Sequence, residues 1–385
     1  MNIFELDKQY IANTYGRFNL QIVKGKGSLC YDETGFEYID LGTGIAVNTF
    51  GFCDDIWVNA VTKQLNTFQH TSNLYYHKPS VDLAKMLCEK TGFKKVFFSN
   101  SGAEANECAI KTARKYAENN KGKEYFNIIT LVNSFHGRTI TTLSATGQEV
   151  FHKDFLPLTE GFLYCPANDV NFLNQLVKNN KVAGIMFETV QGEGGVLPLE
   201  ETFVNEMVKL AKENDLLLIA DEVQTGNGRT GELYSYMNYG FMPDIVSTAK
   251  GLAGGLPLGA TLFNEKTENV LKAGMHGSTF GGNPVACAGA ISILERLDEN
   301  LLNDVKEKSN YIINALTGVK GVKSITGKGL MLGIETEKDA KEIALKCLEK
   351  GVIVLTAKNK VRLLPALNIP MEILEKAINI IKEEL

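Results

Sequence analysis

A chain of 385 residues with a formal charge of −5, 44% hydrophobic and 22% charged residues has room for roughly two domains of about 100–250 residues each and the composition of an ordinary globular protein. The acidic balance, with no basic stripe, argues against a nucleic-acid binder; residues 1–10 lack the apolar core of a signal peptide, and no apolar run approaches the roughly 20 residues of a membrane span. Cys30, Cys53, Cys88, Cys108, Cys165, Cys287 and Cys347 form no Cys-x-x-Cys pair and the five histidines have no ligand spacing, so the expectations are a reducing, cytoplasmic location and no metal site.

Strand-like runs alternate with helical patterns through the middle of the chain. Val96–Phe98 leads into a helix near 103–119, whose small or apolar face is Ala105, Cys108, Ala109, Thr112, Ala113, Tyr116 and Ala117. Ile128–Val132 and Val182–Phe187 follow, then a helix near 203–214 and the runs Leu216–Ala220, Ile245–Thr248 and Leu258–Phe263. Short continuous apolar strands separated by helices predict a largely parallel sheet covered on both faces. After about residue 283 the pattern changes. A long helix over 284–297 precedes a smaller alternation: a helix near 305–316, strands near 323–325 and 330–335, and a helix near 340–350. Strands near 352–355 and 361–364 and a closing helix over 371–385 complete it. The expected organisation is α/β, with a large domain over 46–283 and a smaller α+β domain made of 1–45 and 284–385.

Several strand ends carry chemistry. Lys250 closes one apolar run before Gly251, and Asp221 closes another. A lysine that reacts with an aldehyde and a carboxylate that holds a pyridinium nitrogen are what pyridoxal phosphate asks of a protein. Partial burial would lower the lysine pKa and leave more neutral amine. Asp221 and Glu222 are adjacent, so on a strand they point to opposite faces and are no catalytic pair. Ser99-Asn100-Ser101-Gly102-Ala103-Glu104-Ala105 joins a strand to a helix, either as an anion-binding helix start or as a simple Ser or Asn cap. Phe135-His136-Gly137-Arg138 offers a ring to stack on a flat cofactor and an arginine to grip a carboxylate. Arg362 stands in an otherwise apolar strand, where arginine usually has an anionic partner. Glu193, in Gln191-Gly192-Glu193-Gly194-Gly195, is that partner or merely a loop charge.

Taken in order, these segments resemble the class III (ornithine-type) aminotransferases of fold type I over essentially the whole length. To them are added Asp221-Glu222-Val223-Gln224-Thr225-Gly226, Ala249-Lys250-Gly251 and His276-Gly277-Ser278-Thr279-Phe280-Gly281-Gly282-Asn283-Pro284. Each is weak alone; six in the right order are specific. The resemblance implies pyridoxal 5'-phosphate as cofactor, with Lys250 binding it covalently and shuttling the proton. Asp221 would hold the ring nitrogen, with Glu222 beside it in the cofactor site. Phe135 and Val223 would sandwich the ring, Gln224 would contact its 3-hydroxyl, and Gly102 and Ala103 would give backbone amides to the phosphate. Thr279 and Ser278 would reach a partner's site, Thr279 to phosphate and Ser278 near substrate, which implies a homodimer with shared active sites.

The same resemblance implies a ping-pong transfer between two small molecules. Arg138 would take the distant carboxylate of an ω-amine donor. Arg362 would take the α-carboxylate of 2-oxoglutarate, with Glu193 covering Arg362 in the first half-reaction. Gly44-Ile45-Ala46-Val47-Asn48 and His70-Thr71-Ser72-Asn73-Leu74-Tyr75-Tyr76 look like the members that take N²-acetyl-L-ornithine in arginine biosynthesis. Rivals are succinylornithine, ornithine or 4-aminobutyrate as donor, or an aminomutase on the same fold, against which Arg362 with Glu193 argues. The chain departs from the family pattern at Ala103 (usually Thr), Thr189 (usually Pro), Leu363 (commonly Phe) and the 50–55 segment.

Overall fold

The computed structural model describes residues 2–385, leaving Met1, the first residue of the expected N-terminal segment, outside it. Its centre is a seven-stranded sheet of β1 (Lys95–Ser99), β2 (Asn127–Leu131), β3 (Phe162–Cys165), β4 (Val182–Phe187), β5 (Leu217–Asp221), β6 (Ile245–Thr248) and β7 (Gly259–Phe263). The strands lie in the order β1-β7-β6-β5-β4-β2-β3. Only β7 runs antiparallel to its neighbours, β6 and β1. Every residue of β4, β5, β6 and β7 is buried, which is why these strands read as continuous apolar runs rather than alternating ones.

The helix Gly102–Asn120 packs across this sheet. Ser101 caps it by accepting the Glu104 N–H, and Ala105, Cys108, Ala109, Thr112, Ala113 and Ala117 are all buried. Small side chains at those positions let the helix axis come close to Ile128, Ala183, Leu217, Ile219 and Ile245. A larger residue such as Leu in place of Ala109 would overpack the contact and cost about 1–3 kcal/mol.

Two four-stranded sheets lie outside the central one, besides a two-stranded ribbon of Val190–Gln191 and Leu197–Pro198. Ile22–Lys26, Leu29–Asp32 and Glu37–Asp40 form a meander, and Val352–Ile353 joins its edge in parallel. The other sheet is antiparallel, in the order Val322–Lys328, Met331–Thr336, Lys360–Leu363, Leu355–Ala357. The single strand expected near 352–355 is therefore two strands in different sheets. The helix Pro284–Leu294 ends three residues before the expected Leu297, and the next helix begins at Glu299, six residues before the expected Val305, on an Asp298 cap.

Among the elements that escape the pattern reading are three helices and one strand of the region around the central sheet. Asp55–Leu65 starts on an Asp54 cap and buries no residue completely. Lys78–Thr91 carries Pro79 in its first turn and ends on Gly92 in the left-handed conformation. These two pack against Pro284–Leu294. Val170–Asn179 follows β3, a four-residue edge strand too short to stand out between polar loops.

Candidate active site

The carboxyl ends of the parallel strands converge on a cavity of about 400 Å³, where open α/β sheets hold their ligands. β5 and β6 are neighbours, with Asp221 opposite Ser247, so the chain needs only three more residues to bring Lys250 beside Asp221. Lys250 itself has φ +46°, a left-handed conformation that costs a non-glycine residue roughly 1–2 kcal/mol. Strain of that kind concentrates at functional sites. Burial pushes the Lys250 ammonium down from its ordinary value, outweighing the pull of Glu193 and Asp221 in the other direction.

Asp221 is buried and held from two sides. Its Oδ2 meets Asn106 Nδ2 at 2.8 Å and His136 Nδ1 at 2.8 Å, and its Oδ1 accepts the Val223 N–H at 3.0 Å. Asn106 also donates to the His136 carbonyl at 2.7 Å. Asn106 and His136 carry no role in the sequence reading, although His136 lies inside one of its motifs and Asn106 directly follows another. Only the fold shows that they converge on one carboxylate.

Above this floor, Gly102 and Ala103 open the helix Gly102–Asn120. Their N–H groups donate to no other group among the described residues. A helix start with two free amides is a ready anion site. A Cβ on Gly102 would lie 2.6 Å from Val223 Cγ1, so only glycine lets the helix start approach the turn after β5. Phe135 and Val223 both line the cavity, as do Ala103, Arg138, Gln224 and Glu188.

The two arginines differ. Arg138 is exposed, stands 4.2 Å from the Phe151 ring centroid and 5.5 Å from that of Phe135, and makes no ion pair among the described residues. Arg362 is buried and paired: its Nη1 lies 2.6 Å from Glu193 Oε1 and 3.2 Å from Gln224 Oε1. Gln224 Nε2 in turn reaches Glu193 Oε1 at 3.4 Å. Burial alone would raise the Glu193 pKa, but the Arg362 charge and hydrogen bond overcome it and leave the carboxyl below its ordinary value. Gly192 permits this cluster, since a Cβ there would sit 2.2 Å from Gln224 Oε1.

Lys250, Asp221, Gly102, Ala103, Phe135, Val223, Gln224 and Arg138 are thus brought to one cavity, with Glu193 and Arg362 joined to it through Gln224. Glu222 is not among them. Its buried carboxyl turns away and accepts the Thr225 hydroxyl at 2.6 Å and the N–H groups of Ser235 and Tyr236 at 2.9 and 2.8 Å; burial pushes it up to about 7. Ser278 and Thr279 do not line the cavity either. Ser278 Oγ accepts from Asn100 Nδ2 at 2.9 Å, and Thr279 is exposed. Of the departures from the family pattern, Thr189 is accommodated by a 2.6 Å hydrogen bond to Ser235 Oγ. The other three remove no group from the cavity.

The donor set fits pyridoxal phosphate. Free helix-start amides meet a phosphate, a braced carboxylate meets a ring nitrogen, apolar side chains meet the two faces of a ring, and a lysine of lowered pKa meets an aldehyde. The family described as aminotransferase class-III matches residues 10–385. The acetylornithine aminotransferase of Haemophilus ducreyi is 47% identical over 385 residues, covering 100% of this chain and 98% of that protein. An ornithine aminotransferase structure from Toxoplasma gondii, described with partial occupancy of pyridoxal phosphate at its active site, superposes with a TM-score of 0.94 at 32% identity, covering 99% of this chain and 93% of that one. The acetylornithine aminotransferase structure from Elizabethkingia anophelis gives a TM-score of 0.88 at 30% identity, covering 99% and 97%. With one family matching nearly end to end, and a relative sharing almost half its residues over the full length, the chain belongs to the class-III aminotransferases.

Proposed function

We propose that the protein transfers the terminal amine of N²-acetyl-L-ornithine to 2-oxoglutarate, giving N-acetyl-L-glutamate 5-semialdehyde and L-glutamate, as a step of arginine biosynthesis. The observation that carries this reading is the pairing of the two arginines: Arg362 covered by Glu193 at 2.6 Å, and Arg138 uncovered at the cavity wall. A donor whose carboxylate is far from its reacting amine finds Arg138 free. A keto acid that reacts next to its carboxylate needs Arg362, and finds it only when Glu193 yields. The names of the Haemophilus and Elizabethkingia relatives support the choice of donor.

When bound, pyridoxal phosphate supplies an aldehyde and an electron-withdrawing ring that eases removal of a proton from the carbon bearing the amine. The chain does the rest. Gly102 and Ala103 hold the phosphate by their amides, and Phe135 and Val223 close on the ring faces. Asp221, fixed by Asn106 and His136, keeps the ring nitrogen protonated, since an opposite charge favours the charged form. Gln224 orients the ring hydroxyl. Lys250 takes the proton from the donor's terminal carbon and returns it, work that burial favours by shifting the group toward its neutral amine.

The division into 46–283 and 1–45 with 284–385 belongs to the same proposal. It is supported by the pairing of Ile39 with Val352 and by the Thr43 hydroxyl bonded to the Leu364 carbonyl. A homodimer with shared sites is supported by large apolar side chains exposed at Leu74, Tyr75, Tyr76 and Phe280, the last beside Thr279. A cytoplasmic location accords with seven free cysteines, and no described helix is long and apolar enough to cross a membrane.

The test is to mix the cofactor-loaded protein with single amines and follow the visible absorbance of the cofactor. N²-acetylornithine should bleach it and 2-oxoglutarate restore it. Fast bleaching by ornithine, succinylornithine or 4-aminobutyrate, with none by acetylornithine, overturns the donor; a Lys250→Ala variant that still turns over overturns the mechanism.

A further inference from the structure

Glu188 has no part in the motif reading, yet it lines the cavity. It follows β4 directly, and only 4% of its surface is exposed. β4 and β5 run parallel with Phe187 opposite Ala220, so Glu188 and Asp221 occupy adjacent strand ends, and both line the cavity. Glu188 Oε2 accepts the Phe135 N–H at 2.9 Å. The neighbouring carboxylates have basic partners, His136 for Asp221 and Arg362 for Glu193. Glu188 has none within ion-pair range among the described residues. The charged and titratable groups around it are Asp221, Glu193 and Lys250, with His136 and Arg138 on the loop that carries Phe135.

We propose that Glu188 is a positioning residue that serves as an uncharged acid, its carbonyl oxygen pinning the Phe135 backbone while Asp221 remains the single anion at the strand-end floor. The proposal rests on the transaminase reading above and adds a residue to it. The loop Phe135–His136 is fixed at two successive residues, by Glu188 through the backbone and by Asp221 through the His136 ring at 2.8 Å. Neutrality matters because of what lies alongside. A second negative charge next to Asp221 would raise the proton affinity of Lys250 and withdraw its neutral amine from use. Burial first, and the Asp221 charge second, push the Glu188 carboxyl well above the ordinary carboxylate range, against the opposing pull of the Phe135 N–H and Lys250.

Glu188→Gln separates the alternatives, since an amide keeps an acceptor for the Phe135 N–H and a donor where the acid carries its proton. In the full-length, cofactor-loaded protein, Glu188→Gln should keep kcat within about threefold of wild type, whereas Glu188→Ala, which frees the Phe135 N–H, should lose about tenfold or more. A second readout does not depend on turnover. An acid whose pKa is raised on folding keeps a proton that the unfolded chain releases, so the contribution of Glu188 to wild-type stability falls as pH rises above its ordinary value of 4.5 toward its raised folded-state value. The unfolding temperature of Glu188→Gln should therefore climb relative to wild type across that range. A Gln variant as inactive as the Ala variant, or an unfolding-temperature difference that stays flat or moves the other way, overturns the proposal. A wild-type protein that transaminates no amine would remove the parent reading and leave the unfolding comparison to decide the charge of Glu188.

Discussion

Replacing Glu193 by Gln tests the covered-arginine idea with little change of shape. The Arg362–Glu193 contact is 2.6 Å long, with 4% and 31% of the two side chains exposed. A charge-assisted bond of this kind is worth about 1.5–3 kcal/mol net. Any substrate that seeks Arg362 with an α-carboxylate must first displace Glu193 and forfeit that amount. Gln keeps the length and leaves Arg362 its second contact, Gln224 Oε1 at 3.2 Å, so the buried cation is not stripped of partners. An α-amine donor such as L-glutamate should then gain about 10- to 150-fold, at roughly 1.4 kcal/mol per decade. N²-acetylornithine, resting on Arg138, should change little. The assay is the single-turnover bleaching rate of the cofactor for each donor, and the quantity of interest is the ratio of the two. A ratio within about twofold of wild type, in a variant that keeps its cofactor and its unfolding temperature, would refute the argument that Glu193 holds Arg362 in reserve.

Arg138→Ala should lower kcat/KM for both acetylornithine and 2-oxoglutarate by about 10- to 150-fold, the worth of one lost charge-assisted contact; steady-state kinetics with each substrate varied would show a one-sided loss if Arg138 served only one of them. Thr189→Val should leave the buried Ser235 hydroxyl without its 2.6 Å partner and cost about 1–3 kcal/mol of stability, with turnover little altered; a calorimetric scan matching wild type would show that the hydroxyl pair carries no weight. The Glu193 carboxyl lies below its ordinary value of 4.5. Its pairing therefore contributes stability above that value, and the contribution is lost as pH falls through the depressed folded-state value. The stability difference between wild type and Glu193→Gln should accordingly shrink below about pH 4.5, and denaturant titrations at a series of pH values should find it constant at neutral pH.

What the sequence made legible depended on how local each signal is. β4, β5 and β6 are buried on both faces, so their apolar runs mark them within a residue or so. The helix Gly102–Asn120 is legible because one face is small and the other polar. Lys250 and Asp221 are legible because each ends such a run, and neighbouring strands then bring them together in register. Helix Asp55–Leu65 is not legible by pattern because it buries nothing fully within the chain. Glu222 was placed in the cofactor site by family likeness, while the alternation of a strand already turned it to the opposite face from Asp221. Its three donors come from residues 225, 235 and 236, a loop that no periodicity describes. Asn106, His136 and Glu188 show the deeper limit. Asn106 sits on a helix, His136 on a loop and Glu188 at a strand end, and the three meet around Asp221 because β4 lies beside β5 and the helix start packs against the turn after β5. The chemistry of one carboxylate is decided by which strands are neighbours. A glutamate such as Glu188, unremarkable in the sequence, therefore acquires its properties from sheet order rather than from any motif that contains it.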